Sequence, residues 1–239
     1  MRQVLITGHS SGLGEALARY HLETDDAVLG ISRRRPALTD DALISMQCDL
    51  ADTAALEKTL STIESSRGTI HLAYLNAGVL QPFRDMVDTP LQDIRAAMEV
   101  NVWANKIILD WMCQLDTPPE QVVLVSSGAG VNGNRGWGSY ALSKATLNML
   151  TQLYRDELPA THLCALAPGL IHTAMQDYIK TVDATRFSST ARLQQAMGTA
   201  GMPPPEIVAQ RIGQALSAIR NAPSGSYLDL RELTVNPTD

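Results

Sequence analysis

The sequence has little cysteine, few aromatic residues and no long hydrophobic run. It contains three cysteines in 239 residues, and their odd number and wide spacing exclude a disulfide framework and indicate buried, reduced thiols at Cys48, Cys113 and Cys164. No apolar run approaches the roughly 18 residues that a membrane-spanning helix needs. The polar residues that begin at Gly8 also interrupt the apolar start before a signal core can form. These absences predict a soluble, cytoplasmic protein.

The charge balance excludes further classes of partner. Nineteen Lys and Arg against 25 Asp and Glu give a net charge of −6, which disfavours a general affinity for nucleic acid or for an anionic membrane surface. The five histidines are not paired at metal-ligand spacing, so we predict no metal. The expected partner is therefore a small molecule that is held locally.

Short apolar runs alternate with longer segments of helical periodicity. The predicted strands are Gln3–Thr7, Ala27–Ser32, Leu43–Gln47, Ile70–Leu75, Gln121–Ser126 and His162–Ala167. The predicted helices are Leu13–Glu23, Thr53–Ser66, Leu91–Gln114, Ser139–Leu158 and Pro205–Ile219. This alternation predicts an α/β protein with a mainly parallel sheet and helices on both faces, whose ligands bind at the carboxyl ends of the strands.

No linker rich in proline or serine divides the chain, so residues 1–239 are predicted to form one domain. The irregular segment 171–204 contains two glycines and ends within a run of three consecutive prolines, 203–205. We interpret this segment as a lid over the substrate. The alternative is a surface insertion with a few buried anchors.

A glycine-rich turn follows the first predicted strand. Glycines let the backbone approach a pyrophosphate, whose charge is met by free N–H groups at a helix N-terminus. The alternative is a tight strand-to-helix connection without a ligand. The residues that we expect to contact the cofactor here are Gly8, Ser10, Ser11, Gly12, Leu13 and Gly14.

The second strand ends in Ser32 and three arginines, Arg33 to Arg35. NAD-preferring sites commonly have a carboxylate here for the ribose 2′-hydroxyl, and this chain has none. A guanidinium pairs well with a 2′-phosphate, so we predict NADP, with Arg33 as the contact. The sequence leaves open whether Arg34 joins it, and Arg35 is interpreted as solvated.

Tyr140 and Lys144 are four residues apart and share one face of a predicted helix. An ammonium beside a phenol stabilises the phenolate and lowers the phenol pKa, which makes proton transfer near neutrality feasible. A surface pair is the alternative. Further polar residues are Ser126 and Ser127 after the fifth strand, the turn 76–78 after the fourth, and Asn101 within a long helix.

These motifs occur together, in order, and at separations that resemble the short-chain dehydrogenase/reductase family from residue 3 to about residue 230. The family's T-G-x-x-x-G-x-G is Thr7 to Gly14, its N-A-G is Asn76 to Gly78, and Tyr140 and Lys144 form its Y-x-x-x-K. The segments G-x-S-R-R, S-S-G-A-G and G-W-G resemble the benzil reductase and sepiapterin reductase-like branch. The resemblance implies a single-domain, doubly wound Rossmann fold with seven strands.

The resemblance also implies residue roles. Tyr140 would donate the proton in reduction, and Lys144 would modulate its pKa and bind the nicotinamide ribose. Ser127, which lies thirteen residues before Tyr140, would polarise the substrate carbonyl, and Asn101 would hold a water in a proton relay. Implied cofactor contacts are Asp49 and Leu50 at the adenine, then Asn76, Ala77 and Gly78, and at the nicotinamide Pro168, Gly169, Ile171 and Thr173.

The expected activity is NADPH-dependent reduction of a ketone or vicinal diketone, with Trp137, Met175 and Tyr178 as substrate contacts. Alternatives are a 3-oxoacyl thioester reductase of the same family and an inert NADP-sensing or scaffold protein. The three residues could also be ordinary core or subunit contacts. A stripe formed by Trp103, Ile107, Ile108 and Trp111 is interpreted as core or as the contact of a homodimer or homotetramer.

Overall fold

The computed structural model describes residues 1–66 and 68–233. Over these residues the chain alternates strands and helices as the periodicity predicts. The strands are β1 Gln3–Thr7, β2 Ala27–Ser32, β3 Leu43–Gln47, β4 Leu72–Leu75, β5 Gln121–Val125, β6 His162–Ala167 and β7 Ser226–Asp229. The helices are α1 Gly12–Glu23, α2 Thr53–Ser66, α3 Leu91–Met98, α4 Ala104–Gln114, α5 Gly138–Tyr154, α6 Ala174–Lys180, α7 Ser188–Ala196 and α8 Pro205–Asn221.

The strands form one sheet in the order β3-β2-β1-β4-β5-β6-β7. Every pair of neighbours is parallel, so the predicted doubly wound fold with seven strands is confirmed. The direction of winding reverses between β1 and β4. In such sheets a crevice opens at this point, beyond the carboxyl ends of the strands.

Helices cover both faces of the sheet, and successive side chains of β1 point alternately to the two faces. Val4 and Ile6 point towards a core that is completed by α1 and α8. Leu5 points to the opposite face, where α2, α4 and α5 pack. Because both faces are buried, the strands are apolar throughout. None of the helices in the described ranges combines the length and the apolar character needed to cross a bilayer.

The long helix predicted over Leu91–Gln114 is interrupted. A π-helical turn at Glu99–Trp103 separates α3 from α4, and Asn101 lies at its centre. Such wide turns are common at functional sites, and periodicity alone does not reveal them. Elsewhere the boundaries differ slightly, because β4 begins at Leu72 rather than Ile70 and α5 ends at Tyr154 rather than Leu158.

The segment 171–204 is largely helical, so its sequence-based description as irregular is wrong, whereas its interpretation as a lid stays a prediction. It contains α6 and α7, whose buried residues include Ile179, Thr190 and Leu193. Phe187 and Phe83 join Ile179 and Leu193 in a third apolar cluster. Helices of seven and nine residues show too few turns for their periodicity to be recognised between glycines and prolines.

The expectation that all three thiols are buried is wrong for one of them. Cys48 and Cys164 are buried, but Cys113 is exposed. Cys113 lies in the last turn of α4 on the side that faces away from the sheet. All three cysteines are free.

Candidate active site

The turn between β1 and α1 depends on three glycines. Gly8 and Gly12 have φ values of +73° and +57°, in the left-handed region that favours glycine. A Cβ at Gly14 would lie 2.2 Å from the carbonyl oxygen of Gly8. The side chain of Ser11, at the N-terminus of α1, makes no capping hydrogen bond. The first N–H groups of α1 therefore remain available to an anionic group.

A cavity of about 860 Å³ runs along the carboxyl edge of the sheet. At one end it is bordered by residues that follow β2 and β3, and at the other by Ser127, Tyr140 and Lys144. The turn 8–14 lies between these ends, so the shape fits an extended dinucleotide. The predicted site residues that line it are Gly8, Ser10, Ser11, Gly12, Leu13, Ser32, Arg33, Asp49, Leu50, Asn76, Ala77, Gly78, Ser127, Trp137, Tyr140, Lys144, Pro168, Gly169, Ile171, Thr173 and Met175.

Three predicted residues are not part of this lining: Gly14, Asn101 and Tyr178. Gly14 packs closely against the carbonyl oxygen of Gly8 within the glycine turn. Asn101 and Tyr178 hold other parts of the structure in place through the hydrogen bonds described below. The predicted contacts of Asn101 with water and of Tyr178 with the substrate stay predictions.

The end of the cavity beside β2 is cationic. Both Arg33 and Arg34 are exposed and line it. The Arg34 guanidinium donates a hydrogen bond of 3.5 Å to Ser11 Oγ, and the Ser32 hydroxyl donates to the Arg34 carbonyl oxygen at 2.6 Å. Arg33 makes no ion pair within the described residues. Arg34 thus contacts the phosphate-binding turn directly, beside the predicted contact, Arg33.

At the opposite end, α5 and the end of β5 bring the catalytic candidates together. Tyr140 and Lys144 are both buried. The Lys144 ammonium donates a hydrogen bond of 2.7 Å to the carbonyl oxygen of Val125 and lies 5.7 Å from the centroid of the Tyr140 ring. The Ser127 hydroxyl accepts from Ala129 N at 3.1 Å, and its proximity to the Tyr140 phenol acts to lower the pKa of that phenol. Ser126 instead donates its hydroxyl proton to Asn148.

Burial governs the protonation of this pair. It raises the pKa of Tyr140, and the Ser127 hydroxyl acts in the opposite direction. It lowers the pKa of Lys144 to about 8. The expected lowering of the phenol pKa by the ammonium is thus not found in the chain alone. The physical reason is that desolvation destabilises the charged form of both groups.

Asn101 connects three elements from the π-helical turn. Its amide donates to the Val79 carbonyl oxygen at 3.0 Å and to Ser143 Oγ at 2.9 Å. Its Oδ1 accepts from Val79 N at 2.8 Å, and its main-chain oxygen accepts from Asn105 at 2.9 Å. This arrangement fixes the loop after β4 against α5. In this geometry Asn101 positions its neighbours rather than facing the cavity.

Trp137 links α5, the helix that contains Tyr140 and Lys144, to the segment 171–204. Its ring centroid lies 5.9 Å from that of Tyr140 and 4.7 Å from that of Phe83. Its Nε1 donates a hydrogen bond of 2.9 Å to Ser189 Oγ on α7. Tyr178, on α6, accepts a hydrogen bond of 3.2 Å from Phe83 N. Both contacts hold the two helices against the body of the protein.

Sequence reasoning missed the polar residues that this segment and the loop before α5 contribute. One face of α7 lines the cavity with the polar residues Ser188, Ser189 and Arg192 and the apolar Leu193, and Gln176 lines it from α6. Their spacing is helical, but it is recognised only once the segment is known to contain a helix. The remaining missed polar residues are Asn132, Asn134 and Arg231.

The parallel sheet, the glycine turn and the cavity beyond the strand ends define a doubly wound protein of the dinucleotide-binding class. The comparisons narrow this class. A model of the short chain dehydrogenase family matches residues 2–183. The chain belongs to the short chain dehydrogenase family, whose members bind NAD(P)(H), and the family expected from its motifs is confirmed.

Relatives match nearly the whole chain. A benzil reductase of Bacillus cereus that forms (S)-benzoin is 31% identical, over 97% of this chain and all of its own. An NADPH-dependent pterin aldehyde reductase of Arabidopsis thaliana is 28% identical over 82% of each chain. The solved structure of a short chain dehydrogenase/reductase from Saccharomyces cerevisiae has a TM-score of 0.85 at 22% identity, covering 97% of each chain. This last likeness concerns the fold.

Proposed function

We propose that this protein is an NADPH-dependent reductase of a ketone or vicinal diketone, with Tyr140 as the general acid. The observation that carries the proposal is the convergence of Tyr140, Ser127 and Lys144 at one end of a dinucleotide-shaped cavity. A buried phenol, an alcohol and an ammonium around one point suit the stabilisation of an alkoxide.

Bound NADPH supplies a hydride to the carbonyl carbon. The C=O π pair then moves to the oxygen, where the Ser127 hydroxyl donates a hydrogen bond. Tyr140 transfers its phenolic proton to this oxygen, which completes the alcohol, and the phenol is later reprotonated from solvent. The raised pKa of Tyr140 keeps the phenol protonated before the transfer. With a pKa of about 8, Lys144 is an ammonium at neutral pH and stabilises the transient phenolate.

The proposed preference for NADPH rests on the cations beside β2. Arg33 and Arg34 contact the 2′-phosphate, and Ser32 orients the loop through its hydrogen bond to Arg34. Asp49 and Leu50 border the adenine, and Asn76 to Gly78 pass beside the cofactor. The nicotinamide is bordered by the loop after β6, through Pro168, Gly169, Ile171 and Thr173.

The proposed substrate is bulky and partly aromatic. Trp137 and Met175 line the cavity, the Trp137 ring lies beside that of Tyr140, and α6 and α7 form the lid. A relative that matches the whole chain is named for the reduction of benzil, an aromatic diketone. Tyr178 supports the lid through Phe83 rather than contacting the substrate.

A substrate panel tests the proposal. The purified protein is incubated with NADPH and, in turn, aromatic vicinal diketones, simple aryl ketones and 3-oxoacyl thioesters, and NADPH consumption is followed. We expect the highest kcat/KM with the diketones. A preference for the thioesters would support the alternative reductase instead. Tight NADPH binding with no turnover of any carbonyl would support a sensing or scaffold protein.

Self-association is part of the proposal. Leu142, Met149 and Leu153 lie on α5 and are exposed, as is Trp103 in the π-helical turn, whereas Ile108 and Trp111 are core residues. Such an apolar surface suits a homodimer or homotetramer. Sedimentation of the wild type and of Leu153→Glu tests it, and a monomeric wild type would contradict it.

A cytoplasmic location is also proposed. All three cysteines are free thiols, as expected in a reducing compartment. Fractionation of cells that express the tagged protein tests this location.

A further inference from the structure

The cavity wall formed by α7 contains a guanidinium whose charge nothing in the described chain balances. Arg192 lines the cavity together with Ser188, Ser189 and Leu193. Ser188 and Ser189 precede it by four and three residues, so they lie on the same helical face, and Leu193 follows it directly. Its side chain is exposed to the cavity and makes no hydrogen bond or ion pair within the described ranges. The other arginine of this segment, Arg186, differs because it pairs with Asp85 and Asp88.

The lining gives Arg192 no acidic neighbour. Asp49 is the single carboxylate among the described lining residues, and it follows β3 at the edge of the sheet, far along the strand order from β6 and the lid. The other cations of the lining have contacts or a proposed role. Arg231 pairs with Asp229, Lys144 bonds Val125, and Arg33 and Arg34 lie beside the phosphate turn.

The position of α7 places Arg192 on the substrate side. Ser189, three residues before Arg192, accepts the hydrogen bond of Trp137, and the Trp137 ring packs on that of Tyr140. Residues three apart on a helix are neighbours. Arg192 therefore lies within about one helical turn of a residue that touches the wall around the proton donor.

A second polar group on the lid is also unused. The Oε1 atom of Gln176 is buried and has no hydrogen-bond partner within the described part of the chain, although Gln176 lines the same cavity. Buried polar atoms are nearly always hydrogen-bonded. This side of the cavity thus offers both an amide and a cation to a ligand.

We propose that the substrate is a carbonyl compound that also bears an anionic group of the carboxylate class, which Arg192 binds from the lid. This inference rests on the proposed reductase function and specifies its substrate. An exposed guanidinium binds a carboxylate through two parallel N–H···O hydrogen bonds. The anion would thus orient the ketone with its carbonyl towards Tyr140, while the aromatic wall around Trp137 packs on the rest.

The experiment compares matched pairs of substrates that differ in charge. One pair is phenylglyoxylate and its methyl ester, and the other is benzil with a para carboxylate on one ring and the methyl ester of that compound. For each pair the kcat/KM of the acid is divided by that of the ester. We expect Arg192→Met to lower this ratio at least tenfold for one of the pairs, mainly through KM, as the loss of a charge-assisted hydrogen bond predicts. Arg192→Lys should restore part of it.

The matched control is Lys180→Met, which removes the same charge from the lid at an exposed position outside the cavity lining. It should leave the ratio unchanged. Kd values for NADPH, measured by titration calorimetry on the wild type and on Arg192→Met, should agree within about threefold. A weakened NADPH affinity with an unchanged ratio would assign Arg192 to the cofactor and overturn the proposal.

Binding provides a readout that does not need turnover. The affinity of the NADP⁺ complex for the carboxylate compounds is measured by calorimetry for the wild type, Arg192→Met and Lys180→Met. A tenfold weakening confined to Arg192→Met supports the proposal even if no carbonyl is reduced, which would count against the reductase function alone. Equal affinities in all three proteins would overturn the anionic-substrate proposal.

Discussion

The two ends of the cavity are built by different means. The nucleotide end, by which we mean the part of the cavity from the residues after β2 to the turn 8–14, is shaped mainly by backbone, namely the left-handed glycines and the N-terminus of α1. Its arginines, Arg33 and Arg34, are exposed. The catalytic end consists of buried side chains that are held by one another. Tyr140, Lys144 and Asn101 each depend on residues from at least one other element.

This difference explains which properties each end can have. An exposed cation keeps its charge at all moderate pH values and distinguishes anions, which suits cofactor selection. A buried phenol and ammonium have shifted pKa values, which suits proton transfer. Substitutions at the catalytic end should therefore change turnover and pH dependence, whereas substitutions at the nucleotide end should change cofactor affinity.

The largest expected effect is that of Tyr140→Phe. Loss of the general acid should lower kcat on the order of 10³-fold, and the NADPH Kd should change by less than about threefold, because the ring and its packing on Trp137 remain. Stopped-flow turnover and calorimetric titration measure the two quantities. Retained turnover would remove the proton-donor role from Tyr140 and with it the contrast between the two ends.

Gly14→Ala tests the backbone construction of the nucleotide end. The new Cβ would lie 2.2 Å from the Gly8 carbonyl oxygen, so the turn must shift, and we expect the free energy of unfolding to fall by about 3 kcal/mol. Urea denaturation measures it. The control is Gly133→Ala, since a Cβ at Gly133 meets no atom within 4 Å. Equal stability of both variants would show that the turn has more freedom than its geometry indicates.

Lys144 links burial to pH in the cofactor-free protein. Its pKa is about 8 in the folded chain against an ordinary value of 10.5, so between these two pH values the unfolded chain binds the additional proton. Stability from this group must then increase as pH rises. Between pH 8 and pH 10 the unfolding free energy of the wild type should gain on the order of 2 kcal/mol relative to Lys144→Met. A constant difference between the two proteins would mean that the ammonium is not desolvated.

The smallest effect is expected at the nucleotide end. Arg33→Ala and Arg34→Ala should each weaken NADPH binding about tenfold, the contribution of one charge-assisted hydrogen bond at a solvated site. NADH, which lacks the 2′-phosphate, should lose less than about twofold. Fluorescence titration with both cofactors compares the losses. Equal losses for NADPH and NADH would contradict a contact with the phosphate.

The fold and the nucleotide end were accessible from the sequence because they depend on local signals. Each strand is a short apolar run, and the glycines of the turn are fixed by backbone geometry close to them. Asp52 shows the same principle, because it directly precedes α2 in the sequence and its Oδ1 accepts from Ala55 N at 3.0 Å. The strand β7 lacks such a signal because its four residues are only half buried.

The helices of the segment 171–204 were not predictable from the sequence because their order depends on tertiary contacts. α7 is held by Leu193 and Thr190, which are buried against other elements, and by the hydrogen bond from Trp137 to Ser189. The sequence alone therefore does not show that Arg192 lines the cavity, because that depends on the position of α7. The π-helical turn was not predicted for a similar reason, since Asn101 forms its hydrogen bonds with Val79 and Ser143, which are distant in the sequence.

The π-helical turn at Glu99–Trp103 also limits how the chain length can vary. An α-helix advances about 100° per residue, so removing one residue from this turn would rotate α4 against α3 by that angle. Asn101 and the apolar side of α4 that packs on the sheet could not then both keep their orientations. We infer that this stretch tolerates exchanges of side chains far better than single-residue insertions or deletions.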